Sequence, residues 1–347
     1  MATVNLDWQN LSFQYLPTNG FVQADYADGA WSAPVFKTEP YLPVHIAASC
    51  LHYGQSCFEG MKAFRSREGD VMLFRPEQNA RRLAFSAERI CMQAPPEALF
   101  IDACVKAIQG NAEFVPPYGT GASLYLRPLL IGTEPTIGIR ASNSYTFIVL
   151  VTPVGPYYKN GFFPVEAVVI DGYDRAAPYG TGQAKTGGNY AASLKPGLLA
   201  KELGYPVQLF TDPGEHKYVD EFGTSNFIGI TAAGEYKTPS SSSILASITN
   251  KSLQTLAEDM GLTVVKAPIL LESLGQFDEV GACGTAAVIT PISAVHIGEQ
   301  CFRFGKADEA GPTLTKLYRE LQGIQYGDIA DRHNWLLHID VSVPARA

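Results

Sequence analysis

Apolar positions along this chain come in two rhythms. Short runs rich in β-branched and aromatic residues, at 122–130, 145–151, 165–170, 207–211 and 227–231, predict strands. Between them the apolar positions fall at helical spacing. Pro76 stands where a first helical turn tolerates it, and Leu83, Ala84, Ala87 and Ile90 then share one face. Ile101, Cys104, Val105 and Ile108 form a second such face. Farther on, Leu253, Leu256, Ala257 and Met260 repeat the pattern up to Gly261, and Leu314, Leu317, Tyr318 and Leu321 repeat it after Pro312. Both halves thus mix helices with strands, an α+β organisation.

Both rhythms stop at 152–164, where TPVGPYYKNGFFP gathers Gly, Pro and aromatic residues, the composition of a connection between domains. A length of 347 residues favours two domains over one. The expected division is a small N-terminal α/β domain at 1–154, a loop at 155–164 and a larger C-terminal domain at 165–347. The serine tract 240–243, after Pro239, reads as a loop.

Charge and composition exclude several classes of function. Lys and Arg number 26 against 34 Asp and Glu, a net charge of −8, so no global basic field exists to hold a nucleic acid or an anionic membrane. The longest apolar runs, such as 147–151 and 269–271, are far too short to cross a bilayer. Asp7 comes early and no arginine precedes Arg65, which suits neither a secretory nor a transit leader, so the expected address is the cytoplasm. The cysteines (Cys50, Cys57, Cys91, Cys104, Cys283, Cys301) are scattered without a CxxC and read as reduced, mostly buried thiols; no metal site is expected. The dispersed histidines contain no HExxH and offer no triad, which sets zinc hydrolysis and triad chemistry aside.

The segment that carries chemistry is TGQAKTGGNY, at 181–190, where Lys185 lies among Gly182, Gly187 and Gly188. Taken alone it reads as a surface lysine on a flexible turn. A phosphate-binding GxxxxGK[ST] loop is a sharper alternative, but Ala184 precedes the lysine and Tyr179 stands where the first glycine belongs. The other alternative is a lysine that attacks a carbonyl, which must lose its proton and so needs desolvation and cationic neighbours. Pyridoxal phosphate is the commonest partner of such a lysine, and its site also needs an acid, anion donors and a hydroxyl.

Seven segments carry a resemblance: LHYGQSCFEGMKAF (51–64), LFRPEQNARRL (73–83), ASLYLRPLLIGTEP (122–135), TGQAKTGGNY, YVDEFGTSNF (218–227), ACGTAAVITP (282–291) and GIQYGDIADRHNW (323–335). From about Tyr15 to Trp335 the chain resembles the branched-chain amino-acid aminotransferases, in the larger, eukaryotic-like subgroup of the fold-type IV pyridoxal-phosphate enzymes (class-IV aminotransferases). That resemblance implies a two-domain fold like that of D-amino-acid aminotransferase, with pyridoxal 5'-phosphate in the interdomain cleft. It implies ping-pong transfer of an amino group from leucine, isoleucine or valine to 2-oxoglutarate, giving glutamate. It also implies a homodimer. The alternative is another fold-type IV activity, such as a D-amino-acid or R-amine transaminase or aminodeoxychorismate lyase.

Residue by residue, Lys185 matches the family lysine that forms the internal aldimine and then moves the proton between the substrate α-carbon and the cofactor. Glu221 matches the carboxylate at the pyridine nitrogen, and Tyr190 the phenol at the ring oxygen. Arg82, Ile248, Thr249 and Thr285 match the phosphate ligands; the neighbouring Arg81 is then a surface charge. Thr224 and the amide of Ala286 correspond to the α-carboxylate site. Tyr53, Phe58 and Tyr125 line the implied pocket for a branched side chain, with the region of Tyr53 a candidate for loan between subunits. Arg127 is the implied partner of the second carboxylate of glutamate.

The chain departs from the family pattern in two places. At 245–250 it reads LASITN where LPGITR is common, so Ala246, Ser247 and Asn250 replace Pro, Gly and Arg. The expectation is a less rigid, less positive loop and weaker retention of the cofactor. Ala287 and Thr290 stand where some vertebrate members carry a CxxC, so a thiol switch of that kind is not expected.

Overall fold

The computed structural model describes residues 4–155 and 162–342. The chain divides into two compact units, the first comprising Met1–Tyr157, Ala184–Gly187 and Gly323–Ala347, the second Tyr158–Gln183 and Gly188–Gln322. Two segments therefore leave the expected linear order: the short piece around Lys185 and the C-terminal stretch both belong with the first unit rather than with residues 165–347. Of the loop expected at 155–164, positions 156–161 lie outside the described residues.

The first unit is built on an antiparallel sheet of β1 (Phe21–Ala27), β2 (Ala30–Trp31), β3 (Val35–Lys37), β4 (Ser56–Phe58), β5 (Met61–Arg65), β6 (Val71–Phe74), β7 (Ser123–Gly132) and β8 (Tyr145–Val154), completed by a strand from the C-terminal segment. Helices α1 (Ser49–Tyr53), α2 (Pro76–Arg89) and α3 (Glu97–Gln109) accompany it. The two-residue period of a strand sends alternate side chains to opposite faces. Met61 and Ala63 of β5, Leu124, Leu126 and Leu130 of β7, and Phe147, Val149 and Val151 of β8 all enter one core with Leu83 and Ala87 of α2 and Phe100, Cys104 and Ile108 of α3. The intervening positions, Lys62, Tyr125 and Arg127, fall on the opposite face by the same alternation.

The second unit holds β9 (Val165–Val169), β10 (Val207–Thr211), β11 (Val219–Phe222), β12 (Ser225–Thr231), β13 (Glu235–Thr238), β14 (Thr263–Lys266), β15 (Phe277–Gly284), β16 (Val288–Ile297) and β17 (Gln300–Arg303). Their order is β11-β10-β9-β16-β15-β12-β13-β14, with β17 on β16, and β11 also pairs with β12, which closes the strands from β11 to β12 on themselves. β9 runs parallel to both β10 and β16, and β13 parallel to β14. Parallel neighbours need crossovers, which here contain α5 (Leu194–Glu202) between β9 and β10 and α6 (Ile248–Asp259) between β13 and β14. The helix α4 (Gly187–Ala192) starts two residues after Lys185.

The helix starting at Pro312, α7 (Pro312–Tyr326), buries Leu314, Leu317 and Leu321 as its periodicity predicts. Finally β18 (Leu336–Ile339) pairs antiparallel with β6, and this ladder is why the C-terminal segment joins the first unit. Of the six cysteines, Cys57, Cys104 and Cys283 are buried but Cys91 and Cys301 are exposed, so the thiols are less uniformly interior than expected; all six are free. Among the described residues no helix is long and apolar enough to cross a membrane.

Candidate active site

In the first unit, Lys185 is held by its backbone. Its amide donates to Ser86 Oγ at 2.9 Å, its carbonyl accepts the Phe58 amide at 3.0 Å, and the next residue, Thr186, bridges antiparallel to Cys57. The segment thus lies along β4 as a short strand extension. Asn79, Arg82 and Ser86 follow one another at i, i+3 and i+7 on α2 and so share a side of that helix. Each meets this neighbourhood: Ser86 takes the Lys185 amide, while Asn79 and Arg82 both donate to Glu59.

The cations cluster around an aromatic face. Lys185 Nζ lies 4.8 Å from the centre of the Phe58 ring, and Arg127 Cζ lies 4.7 Å from the same ring. Arg127 also donates through Nη2 to the Tyr125 hydroxyl at 2.9 Å. A β-carbon on Gly60 would stand 2.3 Å from that hydroxyl, so only glycine leaves the phenol its place. Burial pushes the Lys185 ammonium from its ordinary 10.5 to about 8; the nearby Arg82 and Arg127 guanidiniums act in the same direction, against Glu59 and Tyr125. Such a lysine has a reactive neutral fraction near neutrality. Tyr53 stands at the end of α1, 43% exposed, its hydroxyl donating to the Ile137 carbonyl.

Arg82 and Arg81 part company as expected. Arg81 is at the surface against Glu97, whereas Arg82 faces inward and closes a two-pronged ion pair on the fully buried Glu59. Glu59 was not singled out by sequence, although it stands within the CFEGMK stretch that carries Phe58 and Gly60.

In the second unit the central group is Glu221, buried on β11. Arg175 Nε pairs with its Oε1 at 2.7 Å, the Leu245 amide donates to Oε1 at 3.1 Å, and Asn226 Nδ2 donates to Oε2 at 2.7 Å. Burial pushes the carboxyl up, while Arg175, the Leu245 amide and Asn226 draw it back. Two of the contacts bring a hydrogen-bond donor and the third a cation, the arrangement an ionised carboxylate takes. A carboxylate accepts about four such bonds, so Oε2 retains capacity for one more donor. Arg175 is itself buried and also donates to the carbonyls of Gly182 and Ser243. The serine tract read as a plain loop therefore contributes a buried Ser243, whose hydroxyl donates to Asp220 at 2.7 Å.

Two turns and a helix start hold other candidate residues of this unit. Thr224 occupies the turn between β11 and β12, and Thr285 and Ala286 that between β15 and β16; Asn226 and Cys283 are register partners, so the turns lie side by side. Val288, just beyond, has φ +64°, a left-handed conformation unusual for a β-branched residue. At α6 the cap is Ser247, whose Oγ accepts the Asn250 amide at 3.2 Å, leaving Ile248 and Thr249 in the first turn, where amides and helix dipole favour an anion. Tyr190 lies on α4 beside Asn189, which is tied to Thr181 by two hydrogen bonds of 2.7 and 2.8 Å. The LASITN departure has a structural reason at position 250: Asn250 is buried and engaged with Tyr236, Asn226, Thr238 and Gln254, accepting from two of them, which an arginine cannot do.

These residues fit pyridoxal phosphate by their chemistry. A lysine of depressed proton affinity suits an aldehyde, a buried carboxylate with an acceptor position to spare suits a protonated pyridine nitrogen, and a helix start suits a phosphate. Comparison with known proteins agrees. Residues 56–295 match the family described as amino-transferase class IV. The chain is 43% identical over 342 residues to the branched-chain-amino-acid aminotransferase of Haemophilus influenzae, covering 97% of this chain and 99% of the relative. It is 44% identical over 338 residues to that of Helicobacter pylori, covering 96% and 98%. The crystal structure of the Escherichia coli branched-chain amino acid aminotransferase matches with a TM-score of 0.76 at 26% identity, over 94% of this chain and 100% of that one. The T.th. branched-chain amino acid aminotransferase complexed with N-(5'-phosphopyridoxyl)-L-glutamate matches with a TM-score of 0.75 at 25% identity, over 91% and 98%.

Proposed function

The chain belongs to the class IV aminotransferase family, and from that premise we propose that it is a pyridoxal-phosphate-dependent branched-chain L-amino acid:2-oxoglutarate aminotransferase. The observation that carries this reading is Lys185, anchored by its backbone to β4 and α2 while burial, Arg82 and Arg127 hold its ammonium near 8. Pyridoxal phosphate supplies an electron sink when bound; the rest falls to the protein.

Lys185 would hold the cofactor covalently and, when its amine is free, would move a proton from the α-carbon of the amino acid to the cofactor's C4′. Glu221 would keep the pyridine nitrogen protonated, and Tyr190 would bond the ring oxygen. Arg82, Ile248, Thr249 and Thr285 would hold the phosphate. Thr224 and the Ala286 amide receive the α-carboxylate, and Phe58, Tyr125 and Tyr53 offer an apolar surface to the leucine, isoleucine or valine side chain. Arg127 receives the second carboxylate of 2-oxoglutarate, which an apolar surface alone would reject. One cycle converts a branched-chain amino acid and 2-oxoglutarate into a branched-chain 2-oxo acid and glutamate.

The working form in this proposal is a cytoplasmic homodimer. Free thiols throughout support the reducing compartment. Ile46, Leu51, Tyr53, Ile137 and Ile139 support the dimer: all are exposed apolar groups, on α1, the segment just before it and a neighbouring loop joined by the Thr136 amide donating to the Ala47 carbonyl at 2.8 Å. The test is steady-state turnover of L-leucine, L-isoleucine and L-valine with 2-oxoglutarate, against D-alanine as donor. Turnover of the three L-amino acids is expected; turnover of D-alanine alone would overturn the reading.

A further inference from the structure

We infer that Asn250 is a positioning residue for Glu221, acting through Asn226 by fixing which end of the Asn226 amide the carboxylate meets. The inference rests on the reading that Glu221 serves the pyridine nitrogen. It starts from one hydroxyl proton. Thr238 Oγ1 donates to the Phe227 carbonyl at 2.8 Å, so toward Asn250, 2.9 Å away, it can only accept. The atom of Asn250 that faces it is therefore the amide nitrogen. The oxygen of Asn250 then accepts on its other side, from the Tyr236 hydroxyl at 2.8 Å and Gln254 Nε2 at 2.9 Å.

The second proton of Asn250 Nδ2 goes to Asn226 Oδ1 at 3.1 Å. Asn226 must then turn its own Nδ2 outward, where it donates to Glu221 Oε2 at 2.7 Å and to the Leu245 carbonyl at 3.0 Å. Every side chain in the series is buried, Tyr236 completely, so water does not compete for the orientations. The polarity is thus passed from Thr238 through Asn250 and Asn226 to Glu221. Only an amide serves at 250, because the site asks one group to accept twice and donate twice; an arginine there has donors only.

A donor facing Oε2 favours the ionised carboxylate, and a flipped Asn226 would set oxygen against oxygen and disfavour it. Asn250→Asp keeps the size at 250 but removes the donor to Asn226 Oδ1. The measurement is the 15N chemical shift of the pyridine nitrogen in holoenzyme loaded with 15N-labelled pyridoxal phosphate, alongside the single-turnover rate with L-leucine. Wild type is expected to show the protonated shift. In Asn250→Asp the signal moves toward the unprotonated value, and the rate falls on the order of tenfold, the size of one pKa unit.

A wild-type nitrogen that is unprotonated would overturn the role of Glu221 itself. A protonated wild type with an unchanged signal in Asn250→Asp would overturn the role of Asn250 alone. If Asn250→Asp does not fold, Thr238→Val, which removes the proton that sets the direction, takes its place under the same two criteria.

Discussion

Arg82 and Glu59 meet fork to fork: Nε of the arginine donates to one oxygen of the carboxylate at 2.7 Å and Nη2 to the other at 2.6 Å. Asn79 Nδ2 adds a third donor at 2.7 Å, and the carboxylate is wholly buried. Such a geometry fixes the plane of the guanidinium through the protein alone. Removing the carboxylate strands a cation in a partly desolvated place, so Glu59→Ala is expected to lower stability by about 3–5 kcal/mol. Glu59→Gln, which still accepts from Asn79, loses less and weakens pyridoxal phosphate binding more than it changes KM for leucine. Urea unfolding and equilibrium dialysis of the cofactor measure the two effects, and an unaltered unfolding midpoint in Glu59→Ala would sink the argument.

Lys62 and Lys185 are both pushed from the ordinary 10.5 to about 8, with burial the largest cause for each. An unfolded chain keeps these protons up to about 10.5, whereas the folded apoprotein releases them near 8. Between those values the unfolded state holds more protons, so this contribution to stability rises with pH; below about 8 the penalty is present in full. Lys62→Met removes one such penalty. The variant is expected to exceed wild type by on the order of 3 kcal/mol at neutral pH, with the gap closing as pH approaches 10.5. Paired urea titrations at the two ends of that range give the difference directly, and a gap that does not narrow contradicts it.

Arg175→Met takes the cation from beside Glu221 and leaves a buried carboxyl whose proton affinity rises further. A raised value means protonation at low pH. The single-turnover rate with L-leucine is therefore expected to suffer most at low pH and to recover as pH rises through the new value, with about tenfold loss for each whole pKa unit by which the carboxyl rises. Arg175→Lys should retain part of the rate. A pH-independent loss would assign Arg175 a purely structural part, through its bonds to the Gly182 and Ser243 carbonyls.

Ser247 caps α6 through the Asn250 amide. Ser247→Ala is expected to cost about 1 kcal/mol of stability and Ser247→Gly only a few tenths, since glycine is itself a tolerated cap. Thermal unfolding of the two apoproteins ranks them; equal losses would show that the hydroxyl is not what holds this helix start.

These residues show what could and could not be read from the sequence. The strand at 122–130 was legible from its β-branched and aromatic composition; the two-residue alternation that sets Leu124 and Leu126 against the helices and Tyr125 and Arg127 on the other face comes from the structure. Arg82 was legible only through the family resemblance of LFRPEQNARRL; that it lies one helical turn from Asn79 and Ser86 comes from the structure. Glu59, Arg175 and Asn226 were missed because nothing local marks a buried polar group whose partner lies far along the chain. Asn250 looked like a lost charge at a loop. Its bonds to β12 and β13 make it the centre of a network that no periodicity announces.

The ladder between β18 and β6 has a consequence for synthesis. On the ribosome, β6 emerges long before its partner, and until residues 336–339 appear it is the edge of the growing sheet, an open template for strangers. The second unit, by contrast, has all its strands in hand once residue 303 has emerged. The first sheet to begin is thus the last to be finished, and the hazard of mispairing sits on β6 rather than on the strands that carry Glu221.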